Sequence, residues 1–443
     1  MELRKWSITR YGGLAFVLGM PTIPLLIYLP IIYAEHVGLS LSVIGMSLFI
    51  SKILDVVSDP LIGILSDRID SRWGRRKPLI VIGAIIASVA TLPLLDPSKD
   101  AGSWHLLFWA SILYFGWTLV NIPYLSWGSD LSKDYVGRVR ITSVREIFLL
   151  AGILFAGAIP GVSAAFGISE KEAIFSIGLL SIAIGVIMLV LLILGVPEPK
   201  RPLLHQPEPF LKTITQLKEN KPFRLLIMAW FINSIGNGIP AVLFIFFMKY
   251  VLEATELQRG MLILSYFGAG VCGIPIWHWL CKRYSKHHTW LFAMVLACAS
   301  FAFVPLLSSG DILPFLVITV LTGITLGADL IIPPAMQSDV AEYEYFRGRH
   351  DRTAILFASW SMSTKLAVAS AALIVFPLLE AFGFTSDPSD EKNNLFALTV
   401  IYSIIPIVSK LLAMLVMWWY PLNLKRQAII RRRLSILEAR FRG

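Results

Sequence analysis

Cysteine is scarce. Three occur in 443 residues (Cys272, Cys281 and Cys298), each within or at the end of an apolar run and in no metal-ligand spacing. That excludes a disulfide framework and a zinc-type cluster, and the thiols read as packing residues. Histidine is nearly as sparse: seven are present, with no HExxH pattern and no His/Cys cluster, which removes metallohydrolase chemistry. No nucleophile stands beside a base, so an enzyme is not expected, and no cofactor motif is present. Charge is the larger deficit. Asp, Glu, Lys and Arg make up 15% of the chain, against about 25% in a soluble domain. What replaces it is apolar: 56% hydrophobic residues, 12% aromatic, and a mean hydropathy of +0.71, the composition of a polytopic membrane protein. The first apolar run is long enough to span and lacks a small-residue cleavage site, so no removable signal peptide is expected.

Runs of about 20 apolar residues suit a bilayer crossing. Twelve fall near 11–34, 41–66, 78–95, 104–129, 143–166, 173–196, 223–252, 258–281, 289–308, 312–337, 353–383 and 394–420. An even number puts both ends on one side. The formal charge of +10 names that side: most of the 39 Lys and Arg lie in the N-terminus, in the loops after the even-numbered spans, and in the tail. By the positive-inside rule both termini are cytoplasmic, in the plasma membrane, or the inner membrane of a Gram-negative cell. The excess charge is thus a topology signal, and no nucleic-acid partner is expected. The longest polar break, Pro197 to Pro222, divides the spans evenly. The expected organisation is all-α: a six-helix bundle over 1–196, a cytoplasmic loop over 197–222, a second bundle over 223–420, and a basic tail over 421–443. The loop after the second span (SDRIDSRWGRRKP) has a shorter positional echo after the eighth (CKRYSKHHTW), as repeated halves would have. The tail, NLKRQAIIRRRLSILEARFRG, spaces its apolar residues for an amphipathic helix on anionic membrane lipid. A monomer is expected.

One stretch, SKILDVVSDPLIGILSDRIDSRWGRRKP from Ser51 to Pro78, puts two carboxylates in an apolar run ahead of a basic loop. Asp55 and Asp59 are four residues apart, so on a helix they share a face at about 6 Å, with Ser58 beside them. Each ionised acid costs about 3 kcal/mol at the centre of a membrane helix, and the two repel. A bound monovalent cation removes both penalties. The alternative is that the acids meet a wet cavity, Lys52 or a lysine of another helix, and only hold helices together. On the fourth span, Trp117, Thr118 and Asn121 share a stripe, with Pro123 loosening the next turn. Arg145 and Glu146 open the fifth span; they pair locally, or Arg145 reaches a substrate. Lys365, inside the eleventh span, needs an anion or a cavity: the Asp55/Asp59 pair without its cation, or an anionic substrate. Asp329 is a second isolated acid within a span, and the residues alone assign it no partner. Asn233, Asn237 and Pro240 interrupt the seventh span and are candidates to line a cavity.

The segments KILDVVSDPLIGILSDRIDSRWGRRKP, VNIPYLSWGSDLSKDYVGRVR, and PPAMQSDVAEYEY followed by SWSMSTK resemble the glycoside-pentoside-hexuronide:cation symporters of the major facilitator superfamily, which include the melibiose carrier. The resemblance covers nearly the whole chain, with the motifs in order. It implies twelve helices in two bundles, alternating access, and uptake of a small-molecule substrate, a sugar or glycoside, driven by sodium or proton. By the same resemblance Asp55, Ser58, Asp59 and Thr118 form the cation site, with Asp55 and Asp59 the ligands if the ion is sodium. Gly19, Trp117, Asn121, Arg145, Trp360, Ser361 and Lys365 fall at substrate positions. Two departures matter: Gly19 and Asn121 stand where the melibiose carrier has sugar-binding aspartates, which argues against melibiose. Lysolipid carriers keep similar acids, so an amphiphilic substrate is the alternative; a non-transporting membrane sensor is the second. The loop 67–77 is assigned to gating, through Asp67, Arg68, Arg75 and Arg138. Charge reversal at Asp67 is therefore expected to change the initial transport rate more than cation affinity; a cation titration of uptake checks this, and the opposite pattern counts against gating.

Overall fold

A computed structural model describes residues 5–69, 71–131, 135–198, 219–348, 353–384, 394–423, 426–430 and 432–433. Twelve helical segments are long and apolar enough to cross a membrane. They are α1 (Lys5–Gly19), α2 (Leu41–Arg68), α3 (Lys77–Leu95), α4 (Ser103–Asp130), α5 (Tyr135–Ala165), α6 (Glu170–Gly195), α7 (Lys221–Phe246), α8 (Glu256–Arg283), α9 (Lys286–Phe301), α10 (Ile312–Gly348), α11 (Thr353–Ala381) and α12 (Leu395–Trp418). The span begun by α1 is completed by wider, π-helical turns at Pro24–Tyr28 and Ile32–Val37. Among the described residues no strand is present.

The helix starts follow from capping residues. Ser40 caps α2, Ser169 and Glu172 form a capping box on α6, and Asn220 and Asn394 accept from Phe223 N and Ala397 N at 2.9 and 3.0 Å. Interior prolines such as Pro60, Pro123 and Pro240 leave α2, α4 and α7 continuous, since in a membrane neighbouring groups take up the freed carbonyls.

The chain groups into two compact units. The first is Met1–Leu203 with Ala241–Leu264 and Ala372–Leu398; the second is Leu204–Pro240, Ser265–Ala371 and Thr399–Gly443. This differs from a division at the central loop. The physical reason is a set of contacts that bring 241–264 and 372–398 to the first six helices. Lys249 pairs with Glu35, whose other oxygen accepts from Tyr250 Oη at 2.8 Å. Arg259 donates to both carboxylate oxygens of Glu170, at 3.1 and 2.7 Å, and Ser42 N donates to Glu380 at 3.0 Å.

Within the first unit the helices meet backbone to backbone. A Cβ on Gly152 would lie 2.0 Å from Phe16 O, and one on Gly19 would lie 2.2 Å from Leu149 O, so α1 and α5 cross at van der Waals contact. Lipid gives no hydrophobic drive for helices to associate, and such small-residue crossings supply packing instead. Tyr11 and Tyr124 lock α1 to α4: their rings stack at 4.4 Å and each hydroxyl donates to the other's carbonyl, at 3.0 and 2.6 Å. The basic loop after α2 docks on the end of α6, where Glu198 Oε1 accepts from Arg75 N and Arg76 N at 2.8 Å each. Gly74, at φ +113°, leaves room for that carboxylate.

The second unit has its own core, which includes Leu226, Trp277, Trp290, Met336, Trp360 and Met417. Gly152→Val should destabilise the protein by about 1–3 kcal/mol through overpacking. Gly102→Ala, where an added Cβ meets nothing within 4 Å, should be near neutral. Thermal unfolding of the purified variants checks both.

Candidate functional site

The first unit carries the paired acids. On α2, Ser47, Ser51, Asp55 and Asp59 recur every four residues and form one polar stripe on an apolar helix. Ser47, Ser51 and Asp55 are buried, Asp55 at 4% exposure. Hydroxyls of α4 meet this stripe: Ser111 Oγ donates to Ser51 Oγ at 3.2 Å, and two turns on Thr118 Oγ1 donates to Asp55 Oδ1 at 2.5 Å. The second Asp55 oxygen faces Lys52 Nζ at 3.4 Å, and that ammonium lies 3.4 Å from the centroid of the Tyr114 ring. Lys52 thus meets both a carboxylate and an aromatic face. Asp59 lies one turn further on, half-buried, and Pro60 leaves the Val56 carbonyl without its helical donor. The donor set is oxygen throughout, which suits a hard monovalent cation.

Ser58 gives its hydroxyl proton to the Asp55 carbonyl at 2.8 Å, which leaves the lone pairs of that oxygen for a cation. Lys52 stands beside Asp55, and Lys365 is part of the second unit. Trp117 and Asn121 are half-buried on the Thr118 stripe. Arg145 forms an ion pair with its neighbour Glu146. Gly19 is buried against the α5 backbone, where a Cβ would strike Leu149 O.

In the second unit, Trp360 stacks on Trp230 with centroids 4.5 Å apart and planes at 18°. Trp230 Nε1 donates to Thr364 Oγ1 at 2.7 Å, which fixes the pair beside exposed Ser361 and half-buried Lys365. Of the gating residues, Arg75 is tied to Glu198 through its backbone. The side chains of Asp67, Arg68 and Arg138 lie outside the described residues.

A family model described as MFS/sugar transport protein matches residues 11–424. The chain belongs to that family. It is 24% identical over 415 residues to the isoprimeverose transporter of Lactiplantibacillus pentosus, covering 89% of this chain and 84% of that protein. It is 23% identical to the human sodium-dependent lysophosphatidylcholine symporter 1, over 88% and 78% of the two chains. Among solved structures, the D-xylose-proton symporter superposes with a TM-score of 0.71 at 14% identity, over 94% of this chain and 97% of that one. The likeness at that identity is one of fold.

This MFS/sugar transport protein also holds a buried network that sequence reasoning left unassembled. Asp329 of α10 accepts from Asn233 and Asn237 of α7 at 3.2 and 2.7 Å, and from Trp290 Nε1 of α9 at 2.6 Å. The two amide oxygens accept from Lys410 of α12 at 3.0 and 2.7 Å. Two carboxamides therefore bridge a carboxylate and an ammonium that are 8% and 3% exposed. The signals were in the chain: a lone acid and a lone base in spans of one half, and two asparagines four apart. The third motif is likewise structural in part, since buried Asp339 pairs with Lys286 at 2.6 Å. Removing one end of the bridge should leave an uncompensated buried charge: Asp329→Ala and Lys410→Ala should each destabilise by about 3–5 kcal/mol. The double variant should lose clearly less than their sum, as measured by thermal unfolding in a double-mutant cycle.

Proposed function

We propose that this chain is a cation-coupled symporter that takes up a sugar, glycoside or hexuronide by alternating access. The observation that carries this reading is the Asp55 site: a buried membrane carboxylate met by Thr118 and Lys52, with a second acid one turn away. A monovalent cation between Asp55 and Asp59 offsets their mutual repulsion and lowers the cost of burying them. Thr118, Ser58 and the Val56 carbonyl complete its oxygen shell. The choice between sodium and proton rests on whether the incoming ion is coordinated by these oxygens or bound as a proton by one acid.

Coupling is reciprocal: a cation that favours the substrate-binding conformation is favoured by substrate in return. One charge moved across 100 mV supplies about 2.3 kcal/mol, enough for about fifty-fold accumulation. On this reading Trp117, Asn121, Arg145, Trp360, Ser361 and Lys365 are the substrate residues. Trp rings suit the apolar face of a sugar ring, and the neighbouring hydroxyl, amide and basic groups suit its hydroxyls or a uronate. Both termini are assigned to the cytoplasm, and the 67–77 loop to gating.

A second reading, transport of a lysolipid or related amphiphile, is favoured by the similarity to the human lysophosphatidylcholine symporter. Competition of free glycosides against lysolipids for uptake into proteoliposomes separates the two. For the cation site the decisive variant is Asp59→Asn. It should fold, with a thermal midpoint close to wild type, and should lose gradient-driven accumulation altogether; undiminished uptake by that variant overturns the assignment.

A further inference from the structure

The second unit contains a cavity of about 290 Å³ that none of the roles above uses. It lies where α7 begins and where α10 and α12 end, so all three contributions come from one face of the unit, the face assigned to the cytoplasm by the basic loops. Its walls combine two kinds of group. Lys221 and Arg426 supply cationic heads, both exposed, and Tyr343 supplies a phenol. Leu422, Ile429 and Ile430, with two prolines, supply the apolar remainder. No carboxylate lines it among the described residues.

The segment that closes this cavity is held in place. Tyr420 and Leu422 are 6% and 5% exposed, and Ile430 packs against the core of the second unit. Asn423 accepts from Arg426 N and Gln427 N at 3.0 Å each, which turns the chain back toward the bundle. The guanidinium of Arg426 gives one N–H to Pro421 O at 3.1 Å, and this steadies the head at the cavity rim. An apolar segment folded back on the bundle has no need of two cations on the same pocket. Like charges sharing a pocket repel unless an anion joins them.

We propose that this cavity binds the phosphate headgroup of an anionic phospholipid of the cytoplasmic leaflet. The volume decides between a headgroup and a whole lipid. Small-molecule sites run from about 300 to 1,000 Å³, so this one takes a phosphoglycerol group and little more. The phosphate then lies between Lys221 and Arg426, with Tyr343 as a further donor, and the acyl chains leave along exposed Ile429 into the bilayer. The run of arginines that follows, Arg431 to Arg433, adds non-specific attraction to the same leaflet. A basic pocket at the end of a membrane bundle is a form that lipid headgroup sites take.

The test uses the full chain, purified in detergent, with dissociation constants taken from thermal shifts on titration with phosphatidylglycerol or phosphatidylcholine. Wild type should be stabilised by phosphatidylglycerol and not by phosphatidylcholine. Lys221→Gln and Arg426→Gln should each weaken that binding about five-fold, and the double variant about twenty-five-fold. Arg432→Gln/Arg433→Gln, outside the pocket, should keep most of it. The charge-preserving pair Lys221→Arg/Arg426→Lys should also retain binding, and this control separates lost recognition from lost folding. Equal response to the two lipids overturns the proposal, and so does an equal loss in the Arg432/Arg433 variant, which marks diffuse attraction. A full shift produced by glycerol 3-phosphate or inorganic phosphate alone also overturns it, because the ligand is then a soluble phosphate. None of these readouts depends on transport.

Discussion

An ionised carboxylate inside an apolar slab has to be matched by charge and hydrogen bonds, and that requirement shapes both units. At Asp329 the match is complete. Three donors meet the carboxylate and a lysine meets the amides that supply two of them, so charges of opposite sign are joined through two parallel bridges. At Asp55 a threonine hydroxyl and a lysine face one acid while a second stands a turn away. A set that sums to zero holds four helices in place. The paired acids on α2 are the group proposed to take a mobile cation.

The same constraint explains the way the helices meet. Polar stripes and small residues do the work that apolar burial does in water. Ser51 with Ser111 and Asp55 with Thr118 join α2 to α4 on one line, so the helix that carries the acids is registered by the helix that supplies their hydroxyl. Gly19 and Gly152 bring α1 and α5 into contact. The interaction fails for any larger side chain, which is why a glycine at position 19 is better explained by packing than by loss of a sugar contact. On the second unit the Trp230/Trp360 stack is placed by a hydrogen bond to Thr364 and backed by Trp290, itself fixed by Asp329. The ion network and the aromatic pair are therefore one connected assembly.

Twelve spans and their order were legible in the sequence, and Asp55 and Asp59 stood out in it as acids within a span. Hydropathy and four-residue spacing are local properties, and an acid in an apolar run is conspicuous wherever it falls. The family resemblance was carried by motifs of the same local kind. Partners were not legible. Asp329 and Lys410 are 81 residues apart along the chain, and nothing local says that Asn233 and Asn237 stand between them. The hydrogen bond from Ser58 to the Asp55 carbonyl of its own helix was not legible either.

The sequence by itself determined what crosses the membrane, which loops are basic, and where charge is placed at a cost, because each of these depends on a residue and its near neighbours. Only the tertiary structure decided which charges meet. It brought Lys52 and Thr118 to Asp55, closed the Asp329 bridge, turned Gly19 into a helix crossing, and grouped 241–264 and 372–398 with the first six helices. The physical reason is that pairing energy depends on distances of a few ångströms between side chains on different helices, and those distances exist only once the helices have packed.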